Sequence, residues 1–140
     1  LGFTVFSICM FAMRLMGDRI SFKFGPSKTA RYSGLVALIG SIILLTFESF
    51  FPLLIGFGLI GLGIAVIIPL AFSRAGNDKN ISQGVAIASI ATLGYGGMLI
   101  GPLFIGFIAQ ATSIKTSFLI FPILAFLIFV LSKHLSIKSV

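Results

Sequence analysis

The chain has 140 residues, of which 58% are hydrophobic and 9% charged, with a formal net charge of +7. So few polar residues exclude a soluble domain, because a soluble fold needs a polar surface. A basic excess is also found in phosphate-binding proteins, but here the basic residues lie in short segments between apolar runs, which favours a membrane protein without a nucleic-acid partner.

The first apolar run covers residues 1–13, begins with Leu1 and has no basic residue before it. A signal peptide carries positive charge ahead of its apolar core, so this run does not match one. It is also shorter than the roughly 20 helical residues that cross a hydrocarbon core of about 30 Å. We therefore predict an incomplete first span at about residues 1–17, in a chain that is a fragment of a longer protein.

A hydrophilic segment follows from Arg14 to Arg31, and we predict it to be a hairpin between two spans. It contains five basic residues and one acid: Arg14, Arg19, Lys23, Lys28, Arg31 and Asp18. Arg14 and Asp18 are four residues apart, so they share a face and can pair if the helix continues that far. The abundance of basic residues is typical of a cytoplasmic segment.

The rest of the chain is divided by its charges into long apolar runs. Asp, Glu, Lys and Arg are absent from residues 32–47, 49–73, 80–114 and 116–132. Because backbone polar groups in lipid must be satisfied within the segment, these runs predict helices. Together with the first span they predict an all-α integral membrane fold of five helices. The four complete helices are expected at about residues 29–48, 52–73, 82–110 and 115–132.

The longest apolar run, residues 80–114, raises the question of two crossings. It has 35 residues, whereas two spans and a turn need roughly 40 or more. We predict one helix, bent or broken at residues 93–97 and again at Pro102.

The distribution of basic residues predicts the orientation. Successive segments between spans, ending with the C-terminal tail, carry five, none, two, one and two basic residues, so nine of the ten lie on alternate segments. Positively charged segments face the cytoplasm. The C-terminus is therefore expected inside the cell.

A cluster of glycines and charges lies within the hydrophilic segment, formed by Gly17, Asp18, Arg19, Lys23, Gly25 and Lys28. This cluster resembles motif A of the major facilitator superfamily of secondary transporters, which follows the second helix of each half on the cytoplasmic side. When Gly25 is matched to the later glycine of the motif, the usual acidic position falls on Phe22. The acid lies one helical turn earlier, at Asp18.

Two further segments carry the same resemblance. Residues 61–76 resemble the tenth helix of bacterial sugar-permease-like members, and residues 94–106 resemble the eleventh. The second segment is also similar to the antiporter motif of the family at Gly97, Gly101, Pro102 and Gly106. Gly97 and Gly101 form a small-xxx-small pair, which lets membrane helices pack closely or takes part in gating.

The family consists of two repeated halves, so five spans match either helices 2–6 or helices 8–12. The fourth helix of the first half usually carries an arginine, whereas residues 52–73 here contain no charge. The chain also ends eight residues after its last predicted span. We therefore predict helices 8–12, which are most of the C-terminal six-helix bundle.

The resemblance implies a carrier in a bacterial inner membrane that moves a small solute across the bilayer by alternating access. It implies no cofactor. It also implies that the N-terminal half of the transporter is a missing partner of this chain. The motif A-like segment would contact the fifth helix of that half. The tenth helix of the family lines the central cavity with the eighth and eleventh beside it. The candidate cavity residues are accordingly Ser7, Phe57, Ser89, Thr92 and Tyr95.

Two other classes of membrane protein are alternatives to a transporter. A membrane-embedded enzyme needs a nucleophile and base or a metal set, but the acids Asp18, Glu48 and Asp78 lie in separate segments. Cys9 and His134 are single and distant in sequence, so we predict no catalytic residue and no metal site. A small channel or membrane-complex assembly subunit stays open as the alternative.

Overall fold

A computed structural model describes residues 1–77 and 79–135 of the protein. Asp78 and Lys138, which entered the counts of acidic and basic residues, lie outside the described residues. Within the described part every regular element is a helix and no strand is present. Four helices are long and apolar enough to span a membrane. The predicted all-α membrane fold is therefore confirmed.

The first two helices are α1, Gly2–Phe24, and α2, Pro26–Thr46. The hydrophilic segment between them was predicted to be a hairpin, and this prediction is wrong in its extent. Gly25 is the single residue between the two helices. Arginine and lysine are good helix formers, so the charges of this segment do not end α1, whereas the Gly-Pro pair does.

Two spans are each divided a few residues before a proline. Helix α3, Phe50–Ile64, is followed after two residues by α4, Ile67–Gly76. Pro69 has no N–H to donate to the carbonyl of Ala65, which lies in this interruption. Helix α6, Ile114–Ser117, is likewise separated from α7, Ile120–Leu131, at Phe118, four residues before Pro122. A short 3-10 turn, Ser132–Leu135, continues α7.

The described chain divides into two compact units, of which the first comprises Leu1–Ile68 and the chain from Leu119 onward. In this unit α3 packs against both α1 and α2, and α2 also packs against α7. Glycines lie where these helices approach most closely. A Cβ atom at Gly40 would lie 2.8 Å from the carbonyl oxygen of Gly56, and one at Gly63 would lie 2.6 Å from that of Ser33. Small residues thus replace large apolar ones at the helix contacts, as membrane helices require.

The contact between α1 and α3 offers a direct test through the native cysteine. A Cβ atom at Gly58 would lie 3.3 Å from Sγ of Cys9, which is short enough for a disulfide. We expect Gly58→Cys to form a disulfide with Cys9 when oxidised with copper phenanthroline, and thereby to lose maleimide labelling of both thiols.

Gly56→Cys is the matched control because Gly56 faces Leu44 of α2 instead. Equal cross-linking of the two variants would contradict the described packing of α1 on α3.

The second unit comprises Pro69–Phe118. Its main element is α5, Gln83–Ala111, a continuous helix in which Pro102 lies without interrupting the assigned helix. The break expected at residues 93–97 or at Pro102 is therefore not observed. Ala86 is the one buried residue of α5 in the described chain. The unit presents a long apolar helix that is almost entirely exposed.

Candidate functional site at the α1–α2 junction

Gly25 joins α1 to α2 in a backbone conformation that only glycine adopts readily. Its φ is +82° and its ψ is 154°, a region that a side chain makes strained. The Gly25 carbonyl accepts hydrogen bonds from the backbone N–H of Thr29, at 3.0 Å, and from the Thr29 hydroxyl, at 2.8 Å. Pro26 then starts α2 with the φ that a first helical residue needs. The junction is therefore a tight corner with a defined geometry.

We expect Gly25→Ala to lower the free energy of unfolding by about 1–3 kcal/mol, the usual cost of a non-glycine residue in this region. No described atom lies within 4 Å of a Cβ built at Gly25, so the cost comes from the backbone and not from a clash. Detergent unfolding followed by circular dichroism measures the change. Gly84→Ala, at an equally open helical position, should be neutral or stabilising, and an equal loss there would contradict the explanation.

The motif A-like residues lie on the last two turns of α1, at the corner and on the first turn of α2. Gly17 is buried, and a Cβ atom there would lie 2.5 Å from Cγ1 of Val66. The charged members, Asp18, Arg19, Lys23 and Lys28, are all exposed. Arg14 and Asp18 share α1, yet the described residues show no ion pair between them. The structure thus places Gly17 in contact with Val66 and leaves the charged side chains of the cluster exposed.

Two contacts that sequence reasoning missed connect α2 to the end of the chain. The hydroxyl of Ser27 donates to the carbonyl of Ser132 at 2.7 Å, and the guanidinium of Arg31 lies 4.9 Å from the ring centroid of Phe129. Both join residues about 100 positions apart, so no local pattern could reveal them. A weaker signal was present, because the small residues Ala30, Gly34 and Ala37 repeat at helical spacing on α2.

A groove of about 430 Å³ lies between α1 and α2 and has α3 as its floor. Its walls are almost wholly apolar. The lining residues are Met13, Ile20 and Phe24 of α1, Thr29, Tyr32, Ser33 and Val36 of α2, and Leu62 and Gly63 of α3. The Nζ atom of Lys23 lies 5.7 Å from the ring centroid of Phe24, one of these residues.

The predicted cavity residues fall into both units. Ser7 and Phe57 lie in the first unit, on α1 and α3, and both are half-buried. Ser89, Thr92 and Tyr95 lie in the second, one helical turn apart along α5 and all exposed. The hydroxyls of Ser89 and Thr92 donate to backbone carbonyls of α5, at 2.9 and 2.8 Å. The structure aligns these three residues along α5.

The glycines predicted to pack α5 have open space where a Cβ atom would lie, although only Gly97 is exposed and Gly101 and Gly106 are half-buried. Built Cβ atoms at Gly97, Gly101 and Gly106 meet no described atom within 4 Å. Pro102 lies beside them and is exposed. In the described residues, no group of three or more His, Cys, Asp and Glu is placed to hold a metal ion.

The family model of the Major Facilitator Superfamily matches residues 1–136. The chain belongs to this superfamily. As a member it is a multi-pass membrane protein, which agrees with its four helices of spanning length and apolarity.

Three curated relatives of this superfamily member are bacterial membrane proteins. It is 39% identical over 132 residues to an uncharacterized transporter of Sinorhizobium fredii, covering 94% of this chain and 35% of the relative. It is 42% identical over 118 residues to an uncharacterized MFS-type transporter of Yersinia pestis, covering 84% of this chain and 31% of that protein. Membrane protein MosC of Rhizobium meliloti is 36% identical over 119 residues, 85% of this chain and 29% of MosC.

The superfamily member therefore spans about a third of the length of these relatives. No solved structure matches it.

Proposed function

We propose that this chain is the C-terminal portion, helices 8 to 12, of a secondary transporter that moves a small solute by alternating access. The observation that carries the proposal is the superfamily match over residues 1–136 in a chain that spans about a third of its transporter relatives. Alternating-access carriers work by rocking one helix bundle against another around a site near the bilayer midplane. A part of one bundle should not transport alone, and the remaining portion is its partner.

The motif A-like residues supply the conformational segment in this proposal. Gly17 lets α1 approach Val66 closely, and Gly25 fixes the corner that follows. Asp18 is exposed near the cytoplasmic end of α1, where its carboxylate can meet the positive N-terminal end of a helix from the other half. Arg19, Lys23 and Lys28 hold the segment at the membrane surface.

Helix α5 supplies the second element of the proposal. Gly97 and Gly101, four residues apart, give a surface without side chains on α5, and Pro102 and Gly106 follow on the same helix. Such a surface suits close packing or gating against another membrane helix. Ser89, Thr92 and Tyr95 of α5, with Ser7 and Phe57 of the first unit, are the proposed cavity residues, and the substrate is a small molecule handled without catalysis.

Uptake into proteoliposomes tests the proposal. The full-length gene product and residues 1–140 alone are reconstituted separately and offered a mixture of labelled monosaccharides, amino acids and carboxylates. We expect the full-length protein to accumulate at least one solute and the isolated chain to match empty liposomes. Solute flux through the isolated chain would contradict the proposal and favour a small channel.

The proposed orientation places the C-terminus in the cytoplasm of a bacterial inner membrane. We expect a green fluorescent protein fused after Val140 to fluoresce and an alkaline phosphatase fused there to be inactive, because nine of the ten basic residues lie on that side. Fusions after Glu48 serve as the control and should give the opposite pair of results. An active phosphatase after Val140 would contradict the orientation.

A further inference from the structure

The groove between α1 and α2 has the character of a site for a lipid chain. Its walls carry aliphatic and aromatic side chains, and its volume of about 430 Å³ falls in the range of ligand pockets. Tyr32 lies on one wall with 63% of its surface exposed, so the groove opens outward along α2. An apolar opening on membrane-spanning helices has the chemistry that suits an acyl chain.

Positive charge is concentrated at one end of this groove. Lys23 lies three residues after Ile20, and Lys28 lies four residues before Tyr32, so each lysine shares a helix face with a groove residue. The Nζ atom of Lys23 is 5.7 Å from the ring centroid of Phe24, which itself lines the groove. Both lysines are exposed. The two lysines are therefore the sequence neighbours of Phe24 and Thr29, the groove-lining residues nearest the Gly25 corner.

The first turn of α2 adds to this positive potential. Its N-cap is Gly25, which has no side chain to accept from the first N–H groups, and no side-chain cap is formed. The positive end of the dipole of a 21-residue helix thus lies next to Lys28. The single acid of the segment lies elsewhere, because Asp18 precedes Ile20 by two residues and is turned about 160° from the groove face of α1.

We infer that this groove binds one acyl chain of an anionic phospholipid, whose phosphate contacts Lys23 and Lys28. The choice of ligand follows from two features of the site. The apolar groove suits a hydrocarbon chain, and the two lysines near its end suit a phosphate. Basic pockets between membrane helices bind anionic headgroups in this manner. The lining residues of the site come from α1, α2 and α3, and none of them is a cavity residue proposed for the transported solute.

Native mass spectrometry of the purified protein in detergent tests the inference, with dioleoyl phosphatidylglycerol and dioleoyl phosphatidylcholine as probes that share the same chains. We expect the phosphatidylglycerol to bind at least tenfold more tightly. The double variant Lys23→Ala/Lys28→Ala should weaken its binding about 30-fold, since each lysine near an anionic headgroup contributes a comparable factor of about five. Binding of phosphatidylcholine should hardly change.

The matched control, Arg14→Ala, is compared with Lys23→Ala and removes the same single charge from α1, at a position 11 residues or about 16 Å before the Gly25 corner. It should alter phosphatidylglycerol binding less than about threefold, because distant exposed charges are screened. Equal affinity for the two lipids, or an equal loss in the control variant, would overturn the inference.

The acyl-chain half of the inference is tested by filling the groove. Val36→Trp, or the smaller change Val36→Phe if the first variant folds poorly, should abolish binding of both lipids. Millimolar inorganic phosphate should not displace the phosphatidylglycerol, because phosphate lacks the chain. Unchanged binding in the filled variants, or displacement by inorganic phosphate, would show a headgroup contact only and would overturn the groove assignment.

Discussion

Gly61→Ala should lower the free energy of unfolding by about 2 kcal/mol, although alanine is the better helix former. A Cβ atom at Gly61 would clash with the carbonyl group of Phe6 on α1. This obstacle is backbone and cannot rotate away, so α1 and α3 must separate. Extra atoms in a well-packed contact cost about 1–3 kcal/mol, which exceeds the gain in helix propensity of about 1 kcal/mol.

Titration with sodium dodecyl sulfate in mixed micelles, followed by circular dichroism, measures this loss. Gly58→Ala is the matched control on the same helix and toward the same neighbour. Its Cβ atom would meet only side-chain atoms of Cys9 and Val5 at 3.3 Å, which can adjust. We expect the control to change stability by less than about 1 kcal/mol. Equal effects at the two positions would contradict the backbone contact between α1 and α3.

Gly63→Ala should have the larger effect, a loss of about 3 kcal/mol, because the added methyl group meets three fixed atoms of α2. It would lie 2.6 Å from the carbonyl oxygen of Ser33 and 2.7 Å from both the nitrogen and Cβ of Ala37. None of these can move without moving the helix. We therefore expect a loss in the free energy of unfolding at the upper end of the range of about 1–3 kcal/mol for overpacked positions.

The same detergent titration measures the loss of stability in Gly63→Ala. A cross-link between α1 and α3 then shows which helix contact the substitution disrupts. A disulfide between Cys9 and Gly58→Cys reports the contact of α1 with α3, so it should still form when Gly63→Ala is added. It should fail when Gly61→Ala is added. Loss of the cross-link in both combinations would show general unfolding and contradict the assignment of each glycine to its own neighbour.

Much of this fold could be predicted from the sequence because the bilayer imposes simple rules. Segments without charge must be helices, since lipid offers no partner for backbone polar groups. The glycines of the third span, from Gly56 to Gly63, are small residues of the kind that let membrane helices pack closely, and the structure places all of them in contacts with α1 or α2. What the sequence could not specify was which neighbour each glycine faces.

The hydrophilic segment shows that charged residues alone do not mark the end of a helix. The charges from Arg14 to Arg31 predict a hairpin, but the residues from Arg14 to Phe24 form the last turns of α1. A helix that leaves the membrane can continue in water with its charged side chains exposed. The residues that end it, Gly25 and Pro26, are weak signals in a sequence of 16 glycines and five prolines. Backbone chemistry and not polarity determines this boundary.

The candidate site was predictable in part. The family resemblance identified Gly17 and Gly25, and the structure gives both a physical reason, a close contact with Val66 and a conformation with positive φ. The groove beside them was not foreseen, because its walls come from three helices and Leu62 lies some 40 residues from Ile20. Sites of this kind depend on tertiary packing, which periodicity along one helix does not encode.

The hydrogen bond between Ser27 and Ser132 affects the order in which the helices of the first unit can pack together. The ribosome adds 105 residues between these two positions, which takes roughly 5 to 20 s at ordinary rates of synthesis. During that interval the face of α2 around Gly34 has no α7 to cover it, since Phe129 and Ala125 do not yet exist. Among the helices of the first unit, α7 is therefore the last to be synthesised and the last that can dock.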